Sequence, residues 1–181
     1  MRALIVHESL CPAAGEVVAA IAAGLTARGA AVSTLATTAA RPDVGEPVDL
    51  LIVAAPANPL PSQPAPFIPT VGLPVAGGVR EWIERIDLPH GQPAATFDVR
   101  APIGSPEPGG PGPAAGARPS GMPGSPARAA AHRLRERGAT IVGTRSFTGP
   151  GPGGRLDEAE RGHVRDWIAG LVVEAAIHRV G

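Results

Sequence analysis

The sequence predicts an α/β fold, a three-layer sandwich built on a five-stranded parallel sheet in the order 2-1-3-4-5. Three observations predict it. Ala3–Val6 and Leu50–Ala55 are apolar runs without alternation, as strands buried on both faces require. Strand-like and helix-like segments alternate along the chain. Finally, Arg28-Gly29-Ala30-Ala31-Val32 has a counterpart in Arg137-Gly138-Ala139-Thr140-Ile141, each reading as a helix-terminating glycine that runs directly into a strand.

The first strand, Ala3–Val6, leads into a loop, Ser9–Gly15, and then a helix whose Val17, Val18, Ile21 and Leu25 recur at helical spacing. Ala30–Leu35 suits a second strand. Thr37–Pro47 is too short and too rich in breakers for an ordinary crossover helix. Asp49–Ala55 reads as the central strand, stopped by Pro56, and the stretch Pro56–Gly78 carries seven prolines between Pro56 and Pro74. Val79, Trp82, Ile83 and Ile86 mark the buried face of a short helix, and Gln92–Val99 reads as the fourth strand. Ala101–Gly124 has proline and glycine without apolar periodicity and is expected to be a mobile loop. Ser125-Pro126 opens the next helix, Ser as N-cap and Pro at the first helical position, with Ala127, Ala130, Ala131 and Leu134 facing the core. The last helix starts near Asp157, where Asp157 and Glu160 form a variant of the capping box. Its buried stripe is Leu156, Val164, Trp167, Ile168, Leu171 and Val172.

Composition narrows the function. At 181 residues the chain is read as one domain spanning 1–181. Its 16 basic residues balance 16 acidic ones, so it shows no electrostatic footprint for nucleic acid or an anionic membrane. Every basic residue is Arg, which removes lysine-dependent phosphate loops and Schiff-base chemistry. A single cysteine excludes an intrachain disulfide, and neither a leader nor a membrane-length apolar run is visible, so a cytoplasmic protein is expected. The five histidines lack metal-ligand spacing.

Other chemistries of this topology lack their residues. Cys11 precedes a helix, but the position six beyond it is Val17, so no Cys-x5-Arg phosphatase loop exists. Ala54-Ala55-Pro56 stands where a receiver domain needs an aspartate, no Gly-x-Gly-x-x-Gly follows strand 1, and no Gly-x-Ser-x-Gly elbow occurs anywhere. In an open parallel sheet, ligands bind at the carboxyl ends of the strands beside the switch in strand order. There Ser9 has two readings, phosphate donor or helix cap. Asp98 and Arg100 likewise have two, ligand contact or structural ion pair.

With these segments placed, the chain resembles the flavodoxin-like proteins over nearly its whole length. His7-Glu8-Ser9 follows strand 1, Leu51–Pro56 closes strand 3, Gly78-Val79-Arg80-Glu81-Trp82 opens a helix, Phe97-Asp98-Val99-Arg100 closes strand 4, and Gly124-Ser125 precedes a helix. The resemblance implies a crevice for flavin mononucleotide (FMN) made by three loops. It assigns Ser9, Leu10, Cys11, Pro12, Ala13 and Ala14 to the phosphate, Pro56, Ala57, Asn58 and Leu60 to the second loop, and Phe97, Asp98, Val99 and Arg100 to the third. The sequence departs from the family where the ligand would lie. Pro12, Ala13 and Ala14 stand for Gly-Asn-Thr, Ala57 for Thr, Asn58 for His, Leu60 for an aromatic and Val99 for Thr. The implied function is FMN-linked electron transfer or another redox role with weak FMN binding, and the implied partner a redox protein. The alternative is a module of this fold that has lost FMN and binds a protein or small molecule.

Overall fold

The computed structural model describes residues 1–8, 12–37, 39–40, 48–55, 78–100, 125–150 and 154–179. It contains β1 (Arg2–His7), α1 (Pro12–Thr26), β2 (Ala31–Ala36), β3 (Leu50–Ala55), α2 (Val79–Arg85), β4 (Pro93–Arg100), α3 (Pro126–Glu136), β5 (Thr140–Thr148) and α4 (Glu158–Arg179). The five strands form one sheet in the order β2-β1-β3-β4-β5, and every pairing is parallel. This is the predicted order. The Pro/Gly stretch 101–124 and the second crevice loop lie outside the described residues.

Strand parity divides the interior into two layers. Ala3 and Ile5 of β1, Leu50, Ile52 and Ala54 of β3, and Ala95, Phe97 and Val99 of β4 pack against Val17, Val18, Ile21 and Leu25 of α1 and Val164, Trp167, Ile168 and Leu171 of α4. On the opposite face, Leu4 and Val6, Leu51, Val53 and Ala55, and Ala94 pack against Trp82 and Ile83 of α2 and Ala130 and Leu134 of α3. Within the first layer Phe97, Phe147 and Trp167 meet edge to face, with ring centroids 5.4–6.0 Å apart. Both tryptophans are buried, as their helical spacing predicts.

Two glycines let helices approach closely. A Cβ on Gly143 of β5 would lie 2.5 Å from Leu171 Cδ2 and 3.2 Å from Trp167 Nε1, so α4 rests directly on the β5 backbone. A Cβ on Gly24 of α1 would lie 2.5 Å from Ile168 Cδ1, at the crossing of α1 and α4. Gly29 and Gly138 have φ of 79° and 89°, the left-handed conformation expected of the two matching helix-to-strand joints.

One boundary differs from the sequence reading. Pro12–Gly15, read as part of the first loop, form the first turn of α1. Proline is compatible with the first helical position and alanine is the best helix former, so the turn needs no apolar periodicity to form.

Candidate functional site

Parallel pairing brings the carboxyl ends of β1, β3 and β4 side by side, with the switch in strand order between β1 and β3. At the end of β1, the His7 Nδ1–H donates to the Glu8 carbonyl at 3.2 Å. The Glu8 side chain crosses to the other layer, where its Oε1 accepts the Val79 amide of α2 at 2.9 Å, across 71 residues of chain. Gly78 makes this approach possible, since a Cβ there would collide with Glu8 Oε1.

At the end of β4, parity turns Ala94, Thr96 and Asp98 toward α3. Thr96 Oγ1 donates to the Ala127 carbonyl at 2.8 Å. Asp98 is fully buried, and its Oδ2 accepts from Ser125 Oγ at 2.6 Å and from the Ala127 amide at 3.1 Å. Its Oδ1 faces Arg100, whose Nε lies 3.5 Å away while Nη2 donates to Ser146 Oγ at 3.3 Å. Burying a carboxylate is costly unless it is paired and hydrogen-bonded; here Oδ2 takes both hydrogen bonds, while the buried Oδ1 accepts none and is met only by the Arg100 charge. Ser125 does occupy the N-cap of α3, but its hydroxyl donates to Asp98, and the aspartate caps the helix in its place. Asp98 and Arg100 lie within ion-pair distance of each other. Phe97 and Val99 point into the α1/α4 layer, since residues of that parity face it along the whole strand.

The chain's own carboxylates thus meet the N-termini of three helices. Glu8 serves α2, Asp98 serves α3, and Asp157 Oδ1 accepts the Glu160 amide in the first turn of α4 at 2.7 Å. The first turn of α1 carries no acidic residue. Pro12 brings no amide there, leaving those of Ala13 and Ala14 at the positive end of the helix dipole. The Ala14 side chain is half-buried against the α1/α4 layer.

Of the residues assigned to an FMN crevice, Phe97–Arg100 are on β4 and Pro12–Ala14 begin α1. Ser9, Leu10 and Cys11, with Pro56, Ala57, Asn58 and Leu60, lie outside the described residues. Sequence reasoning did not single out Glu8 and Gly78 as partners. The available signal was a glycine directly ahead of the Val79 helix, where a small residue leaves room for an incoming acceptor. Among the described residues, no cluster of His, Cys, Asp or Glu could hold a metal ion, and no helix is long and apolar enough to cross a membrane.

No protein-family profile and no curated protein matches this sequence. Solved structures do match in fold. The two-electron reduced flavodoxin of Megasphaera elsdenii is 16% identical at a TM-score of 0.57, covering 96% of this chain and 98% of that one. Oxidised flavodoxin 2 of Bacillus cereus is 15% identical at a TM-score of 0.60, covering 96% and 99%. The rubredoxin oxygen:oxidoreductase of Desulfovibrio gigas is 11% identical at a TM-score of 0.63, and the match covers 99% of this chain and 37% of that one.

Proposed function

We propose that this chain, which has the flavodoxin-like fold, is an FMN-linked redox protein that holds its flavin weakly and exchanges electrons with a protein partner. The observation that carries the reading is the N-terminus of α1. It opens beside the switch in strand order, and among the described residues no carboxylate is bonded to its first turn, whereas α2, α3 and α4 each receive a carboxylate of the chain. An anion there meets amides and a helix dipole, the arrangement that suits a phosphate. The solved structures of like fold include flavodoxins, which supports the same reading.

The fit is partial. Ala13 and Ala14 offer backbone amides and no side-chain donor, and Pro12 offers neither. Hydrogen bonds to a charged group contribute roughly 1.5–3 kcal/mol each, so lacking two donors weakens binding on the order of 10²–10⁴-fold relative to a loop that has them. In this reading Ser9–Ala14 surround the phosphate, and Pro56, Ala57, Asn58 and Leu60 edge the ring together with the backbone of Phe97–Arg100. Bound FMN would supply the electron chemistry, and the chain supplies position and electrostatics.

The test is the visible spectrum of the purified protein, followed by titration with FMN read by flavin fluorescence. Saturable one-to-one binding supports the reading. No binding up to millimolar FMN favours a cofactor-free module that recognises a protein or small molecule. One observation speaks for that second reading: Asp98 and Arg100, the polar pair of the crevice, are already engaged with α3 and Ser146.

A further inference from the structure

The geometry points to the β2 edge as the contact surface of a homodimer, in which β2 pairs antiparallel with β2 of a second copy about a two-fold axis at Ser33. β2 ends the sheet and is hydrogen-bonded on one side only, to β1. The Ala31 amide donates to the Met1 carbonyl and the Thr37 amide to the His7 carbonyl, so in this parallel ladder the odd-numbered residues face β1. Val32, Thr34 and Ala36 therefore turn their backbone groups outward. The Ala36 carbonyl is taken by the amides of Ala39 and Ala40, at 2.8 and 2.9 Å. Among the described residues, nothing meets the N–H and C=O groups of Val32 and Thr34. The strand also lacks the devices that keep an edge from pairing. It has no proline, no charged residue and no bulge, its register with β1 being one-to-one from Ala31 to Ala36. Ser33, Thr34 and Leu35 are exposed. The other edge, β5, is defended by the exposed Arg145 and by a register shift opposite Ala94 and Ala95.

The occupant is a second copy because the strand is complementary to itself. With the axis at Ser33, Val32 lies opposite Thr34 of the partner subunit, and the two pairs so formed engage every free backbone group of Val32 and Thr34 in both strands. Ser33 meets its own copy as a close, non-hydrogen-bonded pair, where a small side chain fits. Leu35, one of the exposed large hydrophobics, covers Ala31 of the partner subunit. An axis at Thr34 would instead set the Val32 amide against the occupied Ala36 carbonyl. A six-residue edge alone falls short of the about 1,200–2,000 Å² of a standard interface. The two-fold supplies the rest by bringing α1 of each copy to the same face of the joined sheet, antiparallel. α1 has a single charged residue, Glu16 near its start, so the two Glu16 side chains stand at opposite ends of the helix pair and do not repel. The two crevices open on opposite edges of the joined sheet, so the dimer covers neither.

The test is sedimentation equilibrium of the full chain from about 1 μM to about 1 mM, with residue-resolved amide hydrogen exchange at low and high concentration. Wild type is expected to pass from monomer to dimer across that range. The Val32 and Thr34 amides should gain protection in step, while those of Ser33 and Leu35, bonded to β1, stay protected throughout. Ser33→Lys opposes like charges on the axis, and Thr34→Pro removes an outward N–H without touching the ladder to β1. Each should weaken the dimer at least about tenfold, whereas Thr144→Lys on β5 should leave it unchanged. Thermal unfolding verifies that each variant is folded, and the protection of Val32 and Thr34 needs no variant at all. A chain that stays monomeric at the top of the range overturns the proposal. So does a dimer in which Val32 and Thr34 gain no protection, or one that both β2 variants leave intact. Protection of those two amides in the monomer would put another segment on the edge and overturn it equally.

Discussion

Asp98 and Ser125 meet at 2.6 Å, at the point where the chain has left β4 and comes back to begin α3. One buried carboxylate also takes the Ala127 amide and faces the Arg100 guanidinium, tying the end of a strand to the start of a helix 27 residues away. Asp98→Ala would leave the Ser125 hydroxyl, the Ala127 amide and Arg100 without this acceptor in a dry setting. The expected loss is about 3–5 kcal/mol. Ser125→Ala removes one donor and leaves the helix amide capped, so a loss of about 1–2 kcal/mol is expected. Urea unfolding checks both, and equal losses for the two variants would contradict the central place of the carboxylate.

Glu8 and Gly78 should behave as one unit. Glu8→Ala removes the acceptor of the Val79 amide, while Gly78→Ala places a methyl where that acceptor lies. Each is expected to cost about 1 kcal/mol, the usual value of a lost helix cap. The double variant should cost little more than either alone, since the same hydrogen bond is lost once. Additive losses in a double-mutant cycle would show that the two residues act separately.

The close approaches of α4 set two glycines against each other. At Gly24 an added methyl meets the terminal Cδ1 of Ile168, with Arg28 Nη1 next at 3.9 Å and no aromatic ring nearby, and alanine gains about 1 kcal/mol of helix propensity over glycine. Gly24→Ala is expected to be near neutral. At Gly143 the methyl meets Leu171 and also Trp167, whose indole is held edge to face between Phe97 and Phe147. Gly143→Ala is expected to cost about 1–3 kcal/mol as overpacking. Thermal or urea unfolding decides, and a reversed order would mean that α4 shifts as a body.

Glu84 links α2 to α3, with Arg80 Nε at 3.0 Å and Arg133 Nη1 at 3.2 Å from its Oε1. The hydrogen bond from Arg80 first, then the nearby charges of Arg80, Arg133 and Arg137, hold its carboxyl below the usual carboxylate range. A group with a depressed folded pKa stabilises above its unfolded pKa, and that contribution is lost as pH falls through the folded value. Glu84→Gln should therefore lower Tm slightly at pH 7, and the two proteins should converge on acidification. The group is exposed, so the difference should be small and salt-sensitive. A gap that persists after the carboxyl is protonated would point to packing instead.

Much of this architecture is legible in the sequence because local signals agree with the global one. Ala3–Val6 and Leu50–Ala55 are apolar throughout and lie at the centre of the sheet, and the Arg-Gly-Ala joints mark two helix ends with left-handed glycines. β2 is harder to read: Ser33, Thr34 and Leu35 are exposed on an edge strand, where burial imposes no continuous apolar run. The duties of Asp98 and Glu8 are not legible at all. Their partners are 27 and 71 residues away, so which helix each carboxylate serves depends on strand parity and chain return, and no local pattern records either. The aromatic Phe97 illustrates the same limit. Read as part of a ligand loop, it is a core residue because it shares the parity of Ala95 and Val99.

The last prediction concerns the phosphate end of the crevice. Pro12 and Ala13 occupy the first turn of α1, where Pro12 has no amide and Ala13 no polar side chain. Pro12→Gly adds an amide at the positive end of the dipole, and Ala13→Asn adds a side-chain donor. Ala14 is different, because it packs against the α1/α4 core and a larger polar residue there would disturb that contact. The double variant Pro12→Gly with Ala13→Asn should therefore bind FMN roughly ten- to a hundredfold more tightly than the parent. A cost opposes it, since glycine at a position suited to proline gives up about 1 kcal/mol of stability through the freer unfolded chain. That cost shows in Tm and leaves the affinity of the folded protein untouched. Adding Ala14→Thr should lower Tm further and bring little additional affinity. Fluorescence titration with FMN, beside thermal unfolding of each variant, separates the two effects. If the double variant folds like the parent and gains no affinity, the α1 terminus is not the phosphate site, and the cofactor-free reading of the crevice takes its place.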